Sequence, residues 1–323
     1  LLVVDIKSRQ VLIEKAATNP WYPASLSKLM SLYVIFDSVK NKKIELSSPI
    51  IFSKHSVSMP PTKMDLKVGQ KVTLSDAIKM MMVKSANDVT VAIAETLTGS
   101  EKNFVTKMNE FSIKLGMAQS HWVTPHGLPN TSQITTAKDL GILTIALYRD
   151  FPEFSEYLNL GDLSFNGKVI ENYNMLIGRY PGADGLKTGF ICSSGFNIIA
   201  TAKRASRHLA VIVLGAPSSR IESIKAIENL NKGFKISDAT MQIEDIPIKK
   251  KTTAPDLRKG VCNSSSWSKP FMKTVRNSPE PLINDEGSQV RKNGKIIFLK
   301  PSAILKLKRS EVKLSKLKVI IEK

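Results

Sequence analysis

A serine and a lysine three residues apart open a stretch of this chain that is apolar on nearly every side. The stretch follows Pro23 and runs from Leu29 to Phe36 with little interruption. A helix that is apolar nearly all round lies inside a core, and proline suits its entry because the proline φ is already close to helical. Residues three apart share one face of a helix, so Ser25 Oγ and the Lys28 amine are predicted to lie within hydrogen-bond reach.

The burial predicted for this lysine has a chemical consequence. A lysine inside a core is costly unless it is paired or neutral. A neutral Lys28 beside Ser25 is one way to make an activated nucleophile. The pair alone is weak evidence, because Ser-x-x-Lys arises by chance in many chains and exposed polar residues are the commoner situation.

Two downstream motifs strengthen this interpretation. They are Ser85-Ala86-Asn87 and Lys187-Thr188-Gly189. Alone, the first is typical of a helix cap and the second of an ordinary turn at a strand end. All three motifs together follow the order found in penicillin-binding proteins and serine β-lactamases, which makes the joint signal specific.

Composition supports a folded chain with one large domain and a smaller one. Hydrophobic residues make up 42% and charged residues 23% of the 323 residues, which is close to the globular norm and argues against wholesale disorder. No run approaches about eighteen consecutive apolar residues, so no transmembrane helix is predicted. The first residues, Leu1–Ile6, are typical of a strand rather than a signal peptide, so we expect that an export leader has been lost ahead of them.

The net charge of +19 is spread unevenly. After residue 240 there are 19 Lys and Arg against 8 Asp and Glu. Basic surfaces attract polyanions of any kind. No helix-turn-helix, zinc-finger or RNP-like pattern indicates nucleic acid, so we expect weak peripheral association with an anionic membrane or wall.

The order of predicted elements favours an α+β fold over residues 1–238. A hairpin within Leu1–Glu14 and three strands near residues 185–190, 196–203 and 208–215 lie at the two ends of a helical middle. One antiparallel sheet built from distant pieces and covered by helices is therefore expected. We also predict a strand pair near residues 169–174 and a helix over residues 219–232. Residues 239–323 are predicted to form a basic, β-rich and partly disordered region, with β-like runs at 295–299, 304–308 and 312–321.

The cysteines and a histidine in a Pro/Gly-rich loop are assigned to structure. Cys192 and Cys262 are too few for a disulfide framework, and Cys192 is predicted to be a small buried thiol. His126 has no second histidine or carboxylate at metal-ligand spacing. No metal site and no cofactor are predicted.

Over about its first 235 residues the chain resembles the serine D-alanyl-D-alanine carboxypeptidases, the low-molecular-mass penicillin-binding proteins. The resemblance is carried by residues 23–30 and 85–88, by the segment Thr124-Pro125-His126-Gly127-Leu128-Pro129, and by residues 178–197. It implies a β-lactamase/transpeptidase-like fold and a hydrolase that removes the terminal D-alanine from peptidoglycan pentapeptides. It also implies β-lactam antibiotics as covalent inhibitors, and a protein exported to the periplasm or to the outer face of the cytoplasmic membrane.

The resemblance also implies roles for individual residues. Ser25 would attack the carbonyl between two D-alanines, Lys28 would take its proton, and Ser85 would relay a proton to the leaving amine. The predicted substrate-binding residues are Asn87, Lys187, Thr188, Gly189, Phe190 and Arg220. Among them, Lys187 would help to keep Lys28 neutral, Thr188 and Arg220 would bind the terminal carboxylate, and the backbone of Phe190 would complete an oxyanion hole with that of Ser25. Phe190 departs from family members that have His or Thr there, but a backbone donor survives this change.

Two other functions remain open at this point. A class A β-lactamase would need a Glu-x-x-Leu-Asn loop to activate its deacylating water, whereas the run Glu156-Tyr157-Leu158-Asn159 is one residue short. A wall-binding protein with little turnover would not require Ser25, Lys28 and Lys187 together. Release of D-alanine from a pentapeptide separates these functions.

Overall fold

The computed structural model describes residues 1–248 and 253–262, together with the backbone of residues 289–292 and 295–298. Its centre is a five-stranded antiparallel sheet with the strand order β2-β1-β9-β8-β7. The strands are β1 (Leu2–Asp5), β2 (Val11–Glu14), β7 (Ala183–Ile191), β8 (Gly195–Arg204) and β9 (Arg207–Ala216). β1 lies between β2 and β9, with Leu2 opposite Glu14 on one side and Ile212 on the other. The predicted assembly of one sheet from both ends of the segment is confirmed.

Helices cover both faces of the sheet. The larger layer contains α1 (Ser27–Lys40), α3 (Leu74–Val83), α4 (Asn87–Thr98), α5 (Glu101–Leu115) and α6 (Ala137–Asp150). Its core joins α1 to the sheet through fully buried residues such as Leu29, Leu143 and Ile212. The other face is covered by α7 (Ser219–Lys235), whose Ala226 and Leu230 pack against Ile198 and Val211. This is the predicted α+β architecture.

Side-chain caps explain where several helices begin. The side chains of Thr73, Ser100, Thr136 and Ser218 each accept a backbone N–H from the first turn of the helix that follows. Such a bond satisfies one of the donors that a helix N-terminus leaves without a partner. α4 and α5 end at glycines in the left-handed conformation, which a residue without a Cβ adopts at little cost.

Smaller elements lie around the sheet and its helices. They are β3 (Pro49–Ile51), α2 (Lys54–Val57), β4 (Lys71–Thr73), β5 (Asp162–Phe165), β6 (Lys168–Glu171) and α8 (Arg258–Val261). Two further strands, β10 (Gln289–Lys292) and β11 (Lys295–Phe298), pair with each other. The β5–β6 hairpin lies several residues before the strand pair predicted at 169–174, because the turn forms at Asn166 and Gly167, both with positive φ. β11 agrees with the run predicted at 295–299, whereas the runs at 304–308 and 312–321 lie outside the described residues. Over the part of the chain that the structure describes, no helix is both long and apolar enough to cross a membrane.

The chain continues to pack against the sheet after residue 238. Ile243 and Ile246 are buried in the main core, and Lys138 Nζ donates to the carbonyls of Glu244 and Ile246 at 2.8 Å. The boundary predicted at residue 238 therefore does not mark the end of packing against this domain. A separate β-rich domain within residues 239–323 stays a prediction.

The two cysteines form a disulfide, so the prediction of a free Cys192 thiol is wrong. Their Cα atoms lie 5.6 Å apart. The bond attaches α8 to the turn between β7 and β8, where Leu257 N also donates to the Ser193 carbonyl at 3.0 Å. A pair of cysteines is too few to indicate a framework of bridges, but one bridge needs only two residues that the fold brings together.

Candidate active site

Ser25 lies in a short 3₁₀ turn, Ala24–Leu26, that leads into α1. Ala24 has a positive φ of 49°, a conformation that costs a non-glycine residue energy and that is concentrated at functional sites. Ser27 Oγ donates to the Ala24 carbonyl at 2.8 Å and holds the turn. Ser25 itself is half-buried, so its hydroxyl remains within reach of a substrate.

Lys28 is fully buried one turn after Ser25. Its Nζ lies 3.2 Å from Ser25 Oγ, 2.7 Å from Asn87 Oδ1 and 2.7 Å from the carbonyl oxygen of His126. Burial lowers the pKa of Lys28 well below its ordinary value, and the charge of Lys187 lowers it further, while Asp88 opposes the shift. The structure thus favours the neutral amine.

The three contacts of Lys28 define what a neutral amine would do there. Asn87 Oδ1 and the His126 carbonyl are acceptors only, so each takes one N–H of the amine. The lone pair is then left for the third neighbour, Ser25 Oγ, whose hydroxyl can donate to it. This is the geometry of a nucleophile beside its general base.

The second motif lies at the start of α4. Ser85 has a positive φ of 59°, and its Oγ is buried without a hydrogen-bond partner among the described residues. Asn87 is held by two bonds to the preceding loop, from Nδ2 to the Pro60 carbonyl at 3.0 Å and from its backbone N–H to the Thr62 carbonyl at 2.7 Å. An unpartnered buried hydroxyl beside a fixed amide is an arrangement that a bound substrate can complete.

Asp88 attaches a further part of the same loop to α4. Its carboxylate accepts the backbone N–H groups of Met64 and Asp65 at 3.0 to 3.2 Å. Nothing in the sequence indicated that Asp88 would bind the backbone of this loop. This contact appears only when residues 60–65 are seen to fold over the start of α4.

The third motif lies on β7, the edge strand of the sheet. Lys187 is buried, and its Nζ donates to the Thr188 carbonyl at 3.0 Å. Burial lowers the pKa of Lys187 to about 7, while the charge of Glu222 acts in the opposite direction. An edge strand leaves one row of backbone groups without a partner strand, so a peptide can add to it.

Two glycines bring separate segments against the nucleophile. A Cβ on Gly189 would lie 2.9 Å from Ser25 N and 3.0 Å from the Pro23 carbonyl oxygen, and a Cβ on Gly127 would overlap the Ala24 carbonyl. Gly127 also has a positive φ of 87°, which glycine tolerates best. Both positions therefore require glycine for close backbone approach to Ser25.

The remaining predicted residues lie around this centre. Phe190 follows Gly189 on β7 and stacks on Phe196, with ring centroids 4.3 Å apart. Thr188 is half-buried on the same strand, and Arg220 is exposed in the first turn of α7. The structure thus brings Ser25, Lys28, Asn87 and Gly189 into contact. The roles predicted for Ser85, Thr188, Phe190 and Arg220 stay predictions.

Sequence reasoning missed two carboxylates close to this site. Glu222 of α7 is buried with Oε1 lacking a partner among the described residues, and burial raises its pKa well above the ordinary value while Lys187 opposes the shift. Glu101 contacts His126, whose carbonyl accepts from Lys28. Neither could have been found from spacing, because each lies far along the chain from its partner.

Comparison with known proteins agrees with this geometry. The family model described as D-alanyl-D-alanine carboxypeptidase matches residues 1–218. The chain belongs to this family. It is similar to D-alanyl-D-alanine carboxypeptidase DacC of Escherichia coli K12, at 32% identity over 250 residues that cover 75% of the chain and 62% of DacC. It is also similar to DacF of Bacillus subtilis 168, at 27% identity over 93% of the chain and 75% of DacF.

Two solved structures share the fold of this family member. Penicillin-binding protein 6B from Escherichia coli has 31% identity and a TM-score of 0.69, covering 72% of the chain and 76% of that protein. Penicillin-binding protein D2 from Listeria monocytogenes, in its cefotaxime-bound form, has 28% identity and a TM-score of 0.65, covering 72% and 95%. The chain spans about three-fifths of the length of several curated relatives that it matches, including 62% of DacC, 64% of DacD from Salmonella typhimurium and 61% of DacA from Haemophilus influenzae.

Proposed function

We propose that this chain is a serine-type D-Ala-D-Ala carboxypeptidase that removes the terminal D-alanine from peptidoglycan pentapeptides through an acyl-enzyme on Ser25. The observation that carries the proposal is the contact of Lys28 with Ser25 Oγ, Asn87 Oδ1 and the His126 carbonyl inside a buried site. Membership of the D-alanyl-D-alanine carboxypeptidase family supports the substrate class.

The acylation step uses the free lone pair of Lys28. Ser25 Oγ attacks the carbonyl carbon between the two D-alanines while Lys28 accepts the hydroxyl proton. The C–N bond then breaks, Ser85 relays the proton held by Lys28 to the leaving amine, D-alanine departs, and Lys28 is neutral again. Water attacks the resulting ester with Lys28 again as base, which regenerates Ser25 and releases the shortened peptide.

The substrate backbone is proposed to lie against β7 as an added strand. The backbone N–H groups of Ser25 and Phe190 would donate to the oxyanion, where preorganised donors are worth most. Asn87 would bind the substrate amide. Thr188, Arg220 and the charge of Lys187 would bind the terminal carboxylate, and Lys187 would also disfavour protonation of Lys28.

The β-lactamase alternative is disfavoured by the position of its candidate carboxylate. Glu156 is exposed on the 3₁₀ turn Pro152–Leu158, whereas Tyr157 and Leu158 face the core. An exposed carboxylate on that turn is poorly suited to activate a water held within a buried site. A penicillin bound to Ser25 is therefore expected to turn over slowly.

The same proposal covers the partners and the location of the protein. β-Lactams should acylate Ser25, since penicillin-binding protein D2 from Listeria monocytogenes has been solved in cefotaxime-bound and ampicillin-bound forms. A peptidoglycan substrate requires export to the periplasm or to the outer face of the cytoplasmic membrane. The basic residues after 240 would add weak, salt-sensitive attraction to an anionic membrane or wall.

The decisive experiment measures D-alanine release from a pentapeptide and labelling by a fluorescent penicillin. The wild-type chain should release one D-alanine per peptide and carry the label. Ser25→Ala should lose both while keeping its circular dichroism spectrum. Ser38→Ala offers a matched control, since its hydroxyl lies on the same helix and donates to the Val34 carbonyl within that helix instead. Labelling that persists in Ser25→Ala would place the nucleophile elsewhere.

A further inference from the structure

Three titratable side chains form a connected cluster behind Lys28. Glu101, the first residue of α5, places one carboxylate oxygen 2.8 Å from His55 Nε2 and the other 3.2 Å from His126 Nε2. His126 is 4% exposed, and His55 of α2 lies at the surface. We call these three residues the histidine–glutamate cluster. None of its side chains takes part in the reaction described above.

Two contacts together select the tautomer of His126, one from the Leu128 backbone to Nδ1 and one from Nε2 to Glu101. The Leu128 N–H donates to His126 Nδ1 at 3.1 Å, so Nδ1 is an acceptor. A neutral imidazole then carries its proton on Nε2, which donates to Glu101. A proton on Nδ1 would break the bond from Leu128, so the loop geometry favours the neutral ring.

The charges in the cluster agree with this assignment. Burial lowers the pKa of His126, while the hydrogen bond to Glu101 opposes the shift. Burial alone would raise the pKa of Glu101, but its hydrogen bonds with His126 and His55 outweigh burial and lower it. An ionised Glu101 therefore faces a neutral His126 across a contact of 3.2 Å. The position of Glu101 in the first turn of α5 also favours its charge.

The same histidine connects the cluster to the general base. The His126 carbonyl is one of the two acceptors that take an N–H of Lys28, at 2.7 Å. Its position decides whether the lone pair of Lys28 is aimed at Ser25. The cluster therefore reaches Lys28 through the hydrogen bond that the amine donates to the His126 carbonyl.

We propose that Glu101 is a positioning residue for the reaction, which holds the His126 ring as the Nε2–H tautomer and so fixes the carbonyl that orients Lys28. The inference rests on the proposed function, since it concerns the same base. Without an acceptor at position 101, the buried Nε2–H of His126 has lost its partner, and leaving a buried donor unsatisfied is costly. The ring and its backbone then move to recover a hydrogen bond, and the orientation of the amine is lost.

The test separates the acceptor at position 101 from its charge. Glu101→Gln keeps an oxygen that can accept from His126, so acylation by a fluorescent penicillin should stay within about threefold of wild type. Glu101→Leu removes the acceptor and should slow acylation about tenfold or more, the effect of misplacing one ordinary hydrogen bond. Glu110→Leu is the matched control, because Glu110 lies on the exposed side of α5 and pairs with Lys107. Its acylation rate should be unchanged.

Two results would overturn the inference. One is Glu101→Leu acylating at the wild-type rate, and the other is Glu101→Gln slowing as much as Glu101→Leu, which would show that the charge matters instead of the acceptor. If Glu101→Leu fails to fold, ¹⁵N NMR of the histidine rings in the wild type and in Glu101→Gln decides. Protonation of His126 on Nε2, with an Nε2–H signal that shifts in Glu101→Gln, supports the inference. Protonation on Nδ1, or an Nε2–H signal that does not respond to Glu101→Gln, contradicts it. The proposed function fails separately, if the wild-type chain is not acylated at Ser25.

Discussion

The disulfide between Cys192 and Cys262 should contribute a large share of the stability of the protein. It joins residues 70 positions apart. In the chain-entropy model, closing a loop of this length in the unfolded chain stabilises the fold by about 4 kcal/mol. Native domains are stable by roughly 5–15 kcal/mol in total. Cys262→Ser is therefore expected to lower the free energy of unfolding by several kcal/mol.

The local effect of losing the bond follows from what it holds in place. Leu257 and Val261 pack against Phe196 and Ala216 at the β7–β8 turn. Phe190, the residue proposed to complete the oxyanion hole, lies in the same cluster. Release of residues 253–262 should therefore expose Phe196 and loosen the end of β7 while the remaining core stays packed.

Urea unfolding followed by tryptophan fluorescence measures the stability, and penicillin acylation measures the site. Cys262→Ser should unfold at a clearly lower urea concentration, and wild-type protein in a reductant should behave in the same way. The reductant should leave the variant unchanged, which controls for its other effects. Equal unfolding midpoints for the oxidised wild type and the variant would refute the loop-closure argument.

Three further predictions concern the base, the buried carboxyl of α7 and the end of the folded unit. Lys28→Arg should be nearly inactive in D-alanine release, since a guanidinium stays protonated and cannot accept the serine proton. Glu222→Gln removes a charge that raises the pKa of Lys187, so that pKa should fall below about 7. Because Lys187 is proposed to act as a cation, the acylation rate should then begin to fall at a lower pH on the alkaline side. Deleting residues 263–323 should leave D-alanine release largely unchanged, whereas deleting residues 241–323 should destabilise the protein, because it also removes Ile243, Ile246 and the disulfide.

Each of these has an outcome that contradicts it. A Lys28→Arg enzyme with near wild-type turnover would show that another group is the base. For the α7 carboxyl, Glu228→Gln is the matched control, an exposed position on the same helix. An alkaline limb that does not move in Glu222→Gln would mean that Glu222 carries no charge while Lys187 titrates. Equal unfolding midpoints for the two truncations would show that residues 241–262 do not stabilise the domain.

The sequence by itself determined the local structure and the identity of the central pair. Apolar periodicity predicted α1 and the helix over residues 219–232, which forms within α7, because a helix places residues three and four apart on one face whatever surrounds it. Ser25 and Lys28 could be paired for the same reason. The order of the three motifs indicated the family, and the antiparallel sheet followed from strands at both ends of one segment.

Only the tertiary structure decided which distant groups complete the site. Lys28 meets Asn87 and the carbonyl of His126, 59 and 98 residues away, and a backbone carbonyl has no residue type that a sequence pattern could signal. Glu101 resembles any charged residue at a helix start until the fold places it against His126. The pairing of Cys192 with Cys262 depends on residues 253–262 folding back over the β7–β8 turn. Such contacts join segments that no local rule of helix, strand or turn connects, so their geometry exists only once the core has packed.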